Sequence, residues 1–328
     1  MKNMLRLLSG FVLVFAVFSG CQQSTGAAVN ESPDPPVYPK LTDQTQALLL
    51  VQKGPYTGPD KDKMNGPYEA RQKIAVPSDL SPQNKWIMFE GPVLENDKVA
   101  FRYYADSRHR FDIYGKKVSD LVMDTVSWKY HDVVDWGADI LKVGNSLGMG
   151  SPAIYYKDSV YTLSNCDTKT IEVTQTGGSR SQIRTTFKGI LIGGKALDIV
   201  QDWSIEAGDY YSTVDLSMSY GELPEGMHFA TGIVRHLPEA TSGSANGFDY
   251  LMNWGTQSYH EEGLGMAVMA KSEYSPKAVE DELSHLLVFE NAPDKVSYRF
   301  MAVWERDQSG TKDATGFKSM VEEATTTK

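Results

Sequence analysis

Three consecutive runs between residues 183 and 219 alternate apolar and polar side chains, and tight turns join them. In the second run Leu197, Ile199, Trp203 and Ile205 share one face, on which Gln201 is the polar exception. A period of two places successive side chains on opposite faces of a strand, so one face of each run packs on a core. Three long strands joined by short turns predict an antiparallel meander.

Other segments of the chain show the same strand pattern. They cover residues 98–105, 111–114, 159–163, 265–269, 286–290 and 297–305. Helix signals are few, and they predict short helices at residues 42–53, 276–285 and 316–324. Many strands with few helices predict an all-β fold, a large antiparallel sandwich of two sheets.

The N-terminus has the pattern of a bacterial lipoprotein signal. Lys2 and Arg6 precede an apolar stretch, and small residues lead to Cys21. We therefore expect a signal peptide at residues 1–20, a lipid on Cys21, a flexible Pro-rich tether at 21–40 and one β-sandwich catalytic domain at 41–328. Gln22 after the cysteine resembles an outer-membrane address. The predicted location is lipid-anchored at the outer membrane, facing the periplasm or the cell surface.

Charge and cysteine content exclude several kinds of partner. Removal of residues 1–20 takes away Lys2 and Arg6 and no acid, which changes the formal net charge from −10 to −12. Nucleic acid is not an expected partner, because phosphate binding needs a basic face. Cys166 has no second cysteine for an internal disulfide once Cys21 is acylated. Histidine spacing indicates no metal site, and we predict no cofactor, although a divalent cation that neutralises a carboxylate stays open.

Residues 128–150 combine the groups that a sugar site requires. His131 and Lys142 can transfer protons, Trp136 offers a flat apolar face to a sugar ring, and Asn145 can bond to it. Several glycines in this run allow the backbone to approach a ligand closely. The same glycines are also compatible with a simple turn.

A second cluster lies around residues 99–110. Alternation places Val99, Phe101 and Tyr103 on one face of a strand and Arg102 with Tyr104 on the other. A loop with three further basic residues follows: Arg108, His109 and Arg110. Guanidinium groups bind carboxylate and sulfate oxygens in a bidentate way, so this loop is a candidate anion site. Ion pairing with nearby aspartates is the alternative interpretation.

Four segments resemble the family known as domain of unknown function 4861. They are residues 86–92, 99–104, 135–150 and 225–228. The resemblance covers nearly everything after Pro67, and it implies a galactose-mutarotase-like β-sandwich associated with polysaccharide utilisation. It also implies a dehydratase or lyase that acts on a uronic acid of an acidic, ulvan-type or similar oligosaccharide and leaves a 4,5-unsaturated uronyl group at the non-reducing end.

This chemistry requires a base for the C5 proton, an acid for the C4 oxygen and a group that neutralises the carboxylate. The candidate catalytic residues are His131, Lys142, Tyr104 and His228. The candidate substrate-binding residues are Arg102, Tyr103, Arg108, Arg110, Trp136, Asn145 and Trp254. Tyr103 is a second candidate for the acid. A lyase that cleaves a 4-O-glycosidic bond, a non-catalytic carbohydrate-binding lipoprotein and an epimerase on the same fold are the alternatives.

Overall fold

The alternating runs of the sequence form strands. The computed structural model describes residues 44–58, 67–126 and 128–326. In chain order the strands are β1 (Gln46–Leu48), β2 (Leu50–Gln52), β3 (Tyr68–Ala70), β4 (Lys73–Val76), β5 (Val93–Glu95), β6 (Val99–Tyr103), β7 (Phe111–Lys116), β8 (Gly137–Asp139), β9 (Ala153–Tyr156), β10 (Ser159–Thr162), β11 (Thr168–Gln175), β12 (Arg180–Ile192), β13 (Lys195–Glu206), β14 (Tyr211–Met218), β15 (Met227–Val234), β16 (Thr241–Ala245), β17 (Phe248–Thr256), β18 (Gly263–Lys271), β19 (Pro276–Glu280), β20 (Ser284–Phe289) and β21 (Lys295–Trp304). Single 3-10 turns lie at Met88–Glu90 and Ser272–Tyr274, and the helix α1 is Ala314–Ala324.

One layer is a nine-stranded sheet with the order β16-β17-β18-β21-β14-β13-β12-β11-β4. Its centre is the predicted meander, since β12, β13 and β14 pair with their sequence neighbours in antiparallel register. The second layer contains two five-stranded sheets, β1-β5-β6-β7-β8 and β10-β9-β15-β20-β19. β2 and β3 form a separate antiparallel pair.

A short segment joins the two five-stranded sheets. Gly148 forms a parallel bridge with Phe111 of β7, and Met149 forms an antiparallel bridge with Ile233 of β15. Gly148 has a φ of +60°, and a Cβ atom there would lie 2.1 Å from the Phe111 carbonyl oxygen. The junction therefore requires glycine at this position, both for the backbone conformation and for the close approach.

Aromatic side chains from both layers meet in the core. The rings of Phe101 and Phe300 lie 4.9 Å apart, and those of Phe111 and Trp203 lie 5.0 Å apart. All four side chains are fully or almost fully buried. Each such burial contributes about 1.5–3 kcal/mol relative to exposure. The all-β, two-layer sandwich predicted from the sequence is confirmed.

The predicted C-terminal helix is also confirmed as α1. The Asp313 carboxylate accepts a hydrogen bond from the Gly316 N–H at 2.8 Å and caps its first turn. Phe317 and Val321 pack against the outer face of the nine-stranded sheet. α1 therefore closes the side of the sandwich that faces away from the core.

The other two helix predictions are wrong. Residues 46–52 form β1 and β2, where Ala47, Leu49 and Val51 are buried on one side with a period of two. Residues 276–285 form β19 and the start of β20. In both places pairing with a neighbouring strand overrides local helix propensity.

No helix among the described residues is long and apolar enough to cross a membrane. The signal peptide, Cys21 and the tether lie outside the described residues, so what the sequence indicates about them stays a prediction.

Candidate functional site

The candidate site lies on the face of the β1-β5-β6-β7-β8 sheet that points away from the core. Strand alternation places Arg102 of β6 on this face, with Asp112 of β7 directly opposite in register. Tyr114 of β7 pairs with Asp139 of β8 in the same way. Side chains at paired positions of neighbouring strands are adjacent, so three strands bring these groups together. The predicted division of β6 into an apolar face and an arginine face is confirmed.

Arg102 is the centre of this group, and only 2% of its surface is exposed. Nε and Nη2 donate to Asp112 Oδ2 at 3.0 and 2.7 Å, and Nη1 donates to the Phe89 carbonyl at 3.0 Å. Nη1 also donates to the Tyr130 hydroxyl at 3.1 Å, and Nη2 to Tyr104 at 3.2 Å and Asp139 Oδ2 at 2.9 Å. We call this arrangement the Arg102 cluster: Arg102, Tyr104, Asp112, Tyr130 and Asp139.

The geometry corrects the role predicted for Arg102. Every nitrogen of its guanidinium donates to the protein, and the group lies within 4.7–5.2 Å of the ring centres of Tyr104, Tyr114 and Tyr130. No direction is left from which a substrate carboxylate could form a bidentate pair. Arg102 holds the cluster together and acts on a ligand only through its neighbours.

Two carboxylates share the single charge of Arg102. Burial, and after it the negative charge of Asp112, raise the pKa of Asp139 well above the usual aspartate range, although Arg102 opposes this. One guanidinium cannot balance two buried carboxylates. Asp139 therefore keeps its proton to a higher pH than an ordinary aspartate does.

Tyr104 is held inside the cluster. Its hydroxyl donates to Asp112 Oδ2 at 2.8 Å and accepts from Arg102, and 8% of its surface is exposed. Burial is the main cause that raises the pKa of Tyr104. The proton of this phenol is therefore committed to Asp112, which makes Tyr104 a poor acid for a substrate oxygen.

His131 stands at the mouth of the cluster. Its side chain is 60% exposed, and Nδ1 lies 3.6 Å from Asp139 Oδ2. The ring also contacts Tyr130, with 4.5 Å between the ring centres. Partial burial and the positive charge of Arg102 lower the pKa of His131. The imidazole is consequently neutral at pH 7 and able to accept a proton.

Tyr259 and His260 complete this side of the site, and both were missed in the sequence. Tyr259 is 54% exposed, and its ring centre lies 6.4 Å from that of His131. The Tyr259 N–H donates to the Ile140 carbonyl at 2.7 Å, and His260 Nε2 donates to the Asp139 carbonyl at 3.2 Å. The loop between β17 and β18 is thereby fixed against the segment that follows β8.

Residues 104–110, here called the arginine loop, connect β6 to β7 beside the cluster. Arg108 lies over the Tyr104 ring with 3.6 Å to its centre, and it forms ion pairs with Glu90 and Asp106. Arg110 Nη1 donates to the Gly144 carbonyl at 2.7 Å and to Asn145 Oδ1 at 3.2 Å.

Of the two arginines in this loop, Arg110 has less of its positive charge compensated by carboxylates. Burial, and after it the charge of Arg108, lower the pKa of Arg110, and its Nε is buried without a hydrogen-bond partner. Within the described residues no carboxylate forms an ion pair with it. Arg110 is therefore the arginine with donors available for an anion, and Asn145 stands beside it.

A family model described as "Domain of unknown function (DUF4861)" matches residues 12–327. The chain belongs to this family. The match confirms the resemblance inferred from the four sequence segments. No curated protein matches the chain.

Several solved structures share part of the chain trace of this DUF4861 member. A proposed kojibiose phosphorylase from the human microbiome has 9% identity and a TM-score of 0.42, and the match covers 72% of this chain and 33% of that one. An α-N-acetylgalactosaminidase from Bifidobacterium bifidum has 10% identity and a TM-score of 0.37, and the match covers 70% of this chain and 38% of that one. A proposed aldose 1-epimerase from Klebsiella pneumoniae has 8% identity and a TM-score of 0.37, and the match covers 86% of this chain and 95% of that one. The chain thus spans little more than a third of the first two proteins, and likeness at this level says nothing about its activity.

Other residues predicted for the site of this DUF4861 member lie elsewhere. Tyr103 is fully buried in the core, where its hydroxyl bonds to Thr185 Oγ1 at 2.6 Å, so it has no route to a ligand. Trp254 packs on Phe317 of α1, on the outer face of the nine-stranded sheet. Trp136 is half-buried with its ring against Tyr114, behind the cluster.

Two predicted proton-transfer groups are also separate from the Arg102 cluster. His228 lies on β15, beside Tyr155 of β9 in register, and no described hydrogen bond or ring contact links it to the cluster. Lys142 is exposed, and its backbone carbonyl accepts a hydrogen bond from His236 Nε2 at 2.8 Å. Of the four candidate catalytic residues, only His131 and Tyr104 contact the cluster.

The described residues contain no group of three or more His, Cys, Asp or Glu side chains arranged to hold a metal ion.

Proposed function

We propose that this DUF4861 protein is a carbon–oxygen lyase that dehydrates the non-reducing-end uronic acid of acidic oligosaccharides of the ulvan type or a similar type. The observation that carries the proposal is the pairing of an exposed, neutral histidine with an exposed tyrosine above the buried Arg102 cluster. Arg110, in the loop that begins at Tyr104 of this cluster, supplies a positive charge. Elimination from a uronate requires these three kinds of group.

The carboxylate is the first requirement. The C5 proton becomes acidic only when the adjacent carboxylate is neutralised as negative charge develops on it. Arg110 is suited to this task because no carboxylate among the described residues pairs with it, and the side chain that its Nη1 contacts is the neutral amide of Asn145. Arg108 is paired with both Glu90 and Asp106, so the positive charge offered to a substrate carboxylate comes from Arg110.

Proton transfer is the second requirement. His131 turns Nδ1 toward Asp139, which leaves Nε2 to take the C5 proton. The C5–H electron pair then becomes the C4=C5 double bond, and the C4–O bond breaks. Tyr259 gives its hydroxyl proton to the departing oxygen, so that water leaves. His131 and Tyr259 return to their starting states by proton exchange with solvent.

The test uses the mature protein with uronate-terminated oligosaccharides from alginate, pectin, ulvan and glycosaminoglycans. We expect ultraviolet absorbance from the conjugated double bond and a product that has lost one water with no change in chain length. His131→Ala should lower kcat by about 10²-fold or more, and Tyr259→Phe by a similar factor. His228→Ala is the matched control and should retain activity, because His228 lies apart from the cluster. No absorbance with any of the four groups of oligosaccharides would refute elimination.

The same groups serve a polysaccharide lyase, in which a sugar rather than water leaves C4. Release of two fragments in place of one dehydrated product would select that reaction. Binding measured by calorimetry without product would select a carbohydrate-binding lipoprotein.

We also propose that residues 1–20 direct export, that Cys21 carries the lipid and that residues 21–40 tether the domain to the outer membrane. The sequence pattern around Ser19-Gly20-Cys21 supports this proposal.

A further inference from the structure

The arginine loop is connected to the opposite layer by polar side chains inside the core. Between the two arginines, the side chain of His109 points in the opposite direction from the site and is fully buried. Its ring lies between Tyr103, at 4.6 Å, and Phe187, at 4.7 Å. Its Nε2 bonds to Gln201 Oε1 at 2.9 Å. Gln201 is the polar exception on the apolar face of β13.

The backbone at His109 shows why this bond matters. His109 has a φ of +41°, which lies in the left-handed region. A non-glycine residue in this region is strained and persists only when its surroundings fix it. Burial between two rings and the bond to Gln201 supply that constraint. The direction of the chain at position 109 determines where the two neighbouring arginines point.

A second side chain of the nine-stranded sheet holds the start of the same loop. Lys169 of β11 is 6% exposed, and its Nζ donates to the carbonyls of Ala105 and Asp106, both at 3.0 Å. Thr185, which pairs with Gln201 across β12 and β13, bonds to Tyr103 immediately before the loop. Three adjacent strands thus each place one polar side chain against residues 103–109.

The buried polar side chains of His109, Gln201 and Lys169 reduce the stability of the core. Burial of a polar side chain is unfavourable unless hydrogen bonds replace those to water. His109 Nδ1 and Gln201 Nε2 are buried without a partner within the described residues. Apolar side chains would fill the same space with less penalty, so stability alone does not account for this arrangement.

We propose that Gln201 and Lys169 are positioning residues for the arginine loop, which they hold from across the core in the orientation that presents Arg108 and Arg110 to an anionic ligand. The identity of that ligand rests on the proposed function, whereas the positioning of the loop does not. The nine-stranded sheet, which contributes no group to the Arg102 cluster, in this way sets the geometry of the anion site.

The test compares Gln201→Met and Lys169→Met with Ser212→Ala. Met preserves most of the volume of each side chain and removes its polar contacts. Ser212 is the control because it is fully buried in the same sheet and accepts from Trp203 Nε1 at 3.0 Å, but touches nothing in the loop. Amide hydrogen exchange of residues 105–110 should accelerate by about tenfold or more in the two Met variants and stay unchanged in Ser212→Ala.

Kinetics with glucuronate-terminated oligosaccharides provide the second readout. A displaced arginine loop should lower kcat/KM about tenfold or more, with kcat reduced as well as KM raised, because Arg110 binds the carboxylate and also stabilises the charge that develops on it. Gln201→Glu keeps an acceptor for His109 Nε2 and should restore slow exchange. If Gln201→Met does not fold, the amide hydrogen exchange of residues 105–110 in Lys169→Met tests whether the loop is held from across the core.

Unchanged loop exchange in the folded Met variants, or equal acceleration in Ser212→Ala, overturns the proposal. If the wild-type protein dehydrates none of the oligosaccharides, the proposed function fails, while the exchange comparison still decides whether Gln201 and Lys169 position the loop.

Discussion

Replacement of Arg102 by lysine keeps one positive charge at the centre of the cluster and changes the number of its hydrogen bonds. The five N–H groups of Arg102 make six hydrogen-bond contacts with five acceptors, twice with Asp112 Oδ2 and once each with Asp139, Tyr104, Tyr130 and the Phe89 carbonyl. A lysine ammonium has three donors and no planar face to place among the tyrosine rings. At least two of the five acceptors therefore lose their partner in a buried environment.

The loss of stability can be estimated from these contacts. Each lost hydrogen bond in a buried site costs about 1 kcal/mol, and more where the acceptor is a carboxylate. Two such losses give about 2 kcal/mol, and the incomplete pairing of two buried carboxylates brings the total to about 3–5 kcal/mol. The expected result is a reduction of the free energy of unfolding by that amount.

Urea unfolding followed by tryptophan fluorescence measures this change. Arg184→Lys is the matched control, because Arg184 forms a two-point pair with Asp202, at 2.8 and 2.7 Å, with 47% of its side chain exposed. Exposed pairs contribute about 0–1 kcal/mol, so this variant should change stability by no more than about 0.5 kcal/mol. A loss below about 1 kcal/mol for Arg102→Lys would refute the reasoning that the cluster depends on the guanidinium fork.

Three further predictions concern pH and membrane attachment. Because the pKa of Asp139 is raised in the folded protein, wild-type stability should fall as pH rises from about 4 toward that pKa, and Asp139→Asn should remove this fall; urea unfolding across the range measures both. If His131 is the base, kcat/KM should rise with pH with a midpoint below about 6.5, since the pKa of His131 is lowered and only its neutral form accepts a proton; a midpoint above 7 in the pH–rate profile contradicts this. Cys21→Ala should abolish incorporation of a fatty-acid label and release the protein from membranes, whereas Cys166→Ala should retain both.

The sequence predicts the strands of this protein well because alternation is a local signal. The face of β6 that carries Arg102 follows directly from the period of two, and the meander follows from the spacing of turns between residues 183 and 219. The same reasoning fails at residues 46–52, where a nearly continuous apolar run is compatible with either a helix or strands.

The site is predicted less completely because its residues come from distant segments. His131 and Arg102 are found from their neighbours in sequence, but Tyr259 reaches them only through the pairing of β17 with β18. The sequence could not show that Trp254 lies apart from the Arg102 cluster, because exposure of an aromatic residue depends on what covers it, here Phe317 of α1. The engagement of every Arg102 nitrogen likewise requires the positions of three strands at once.

The two layers of the sandwich are interleaved along the chain. β4, at Lys73–Val76, belongs to the nine-stranded sheet, although β1, earlier in the chain, and β5, the next strand, belong to the other layer. β15 and β20 return to the second layer after the meander is complete. No single crossover between two related genes can therefore exchange one layer without dividing the other. Recombination within this family is expected to conserve both layers as a unit, so that diversity arises by substitution and by changes in loops such as residues 104–110 and 257–262.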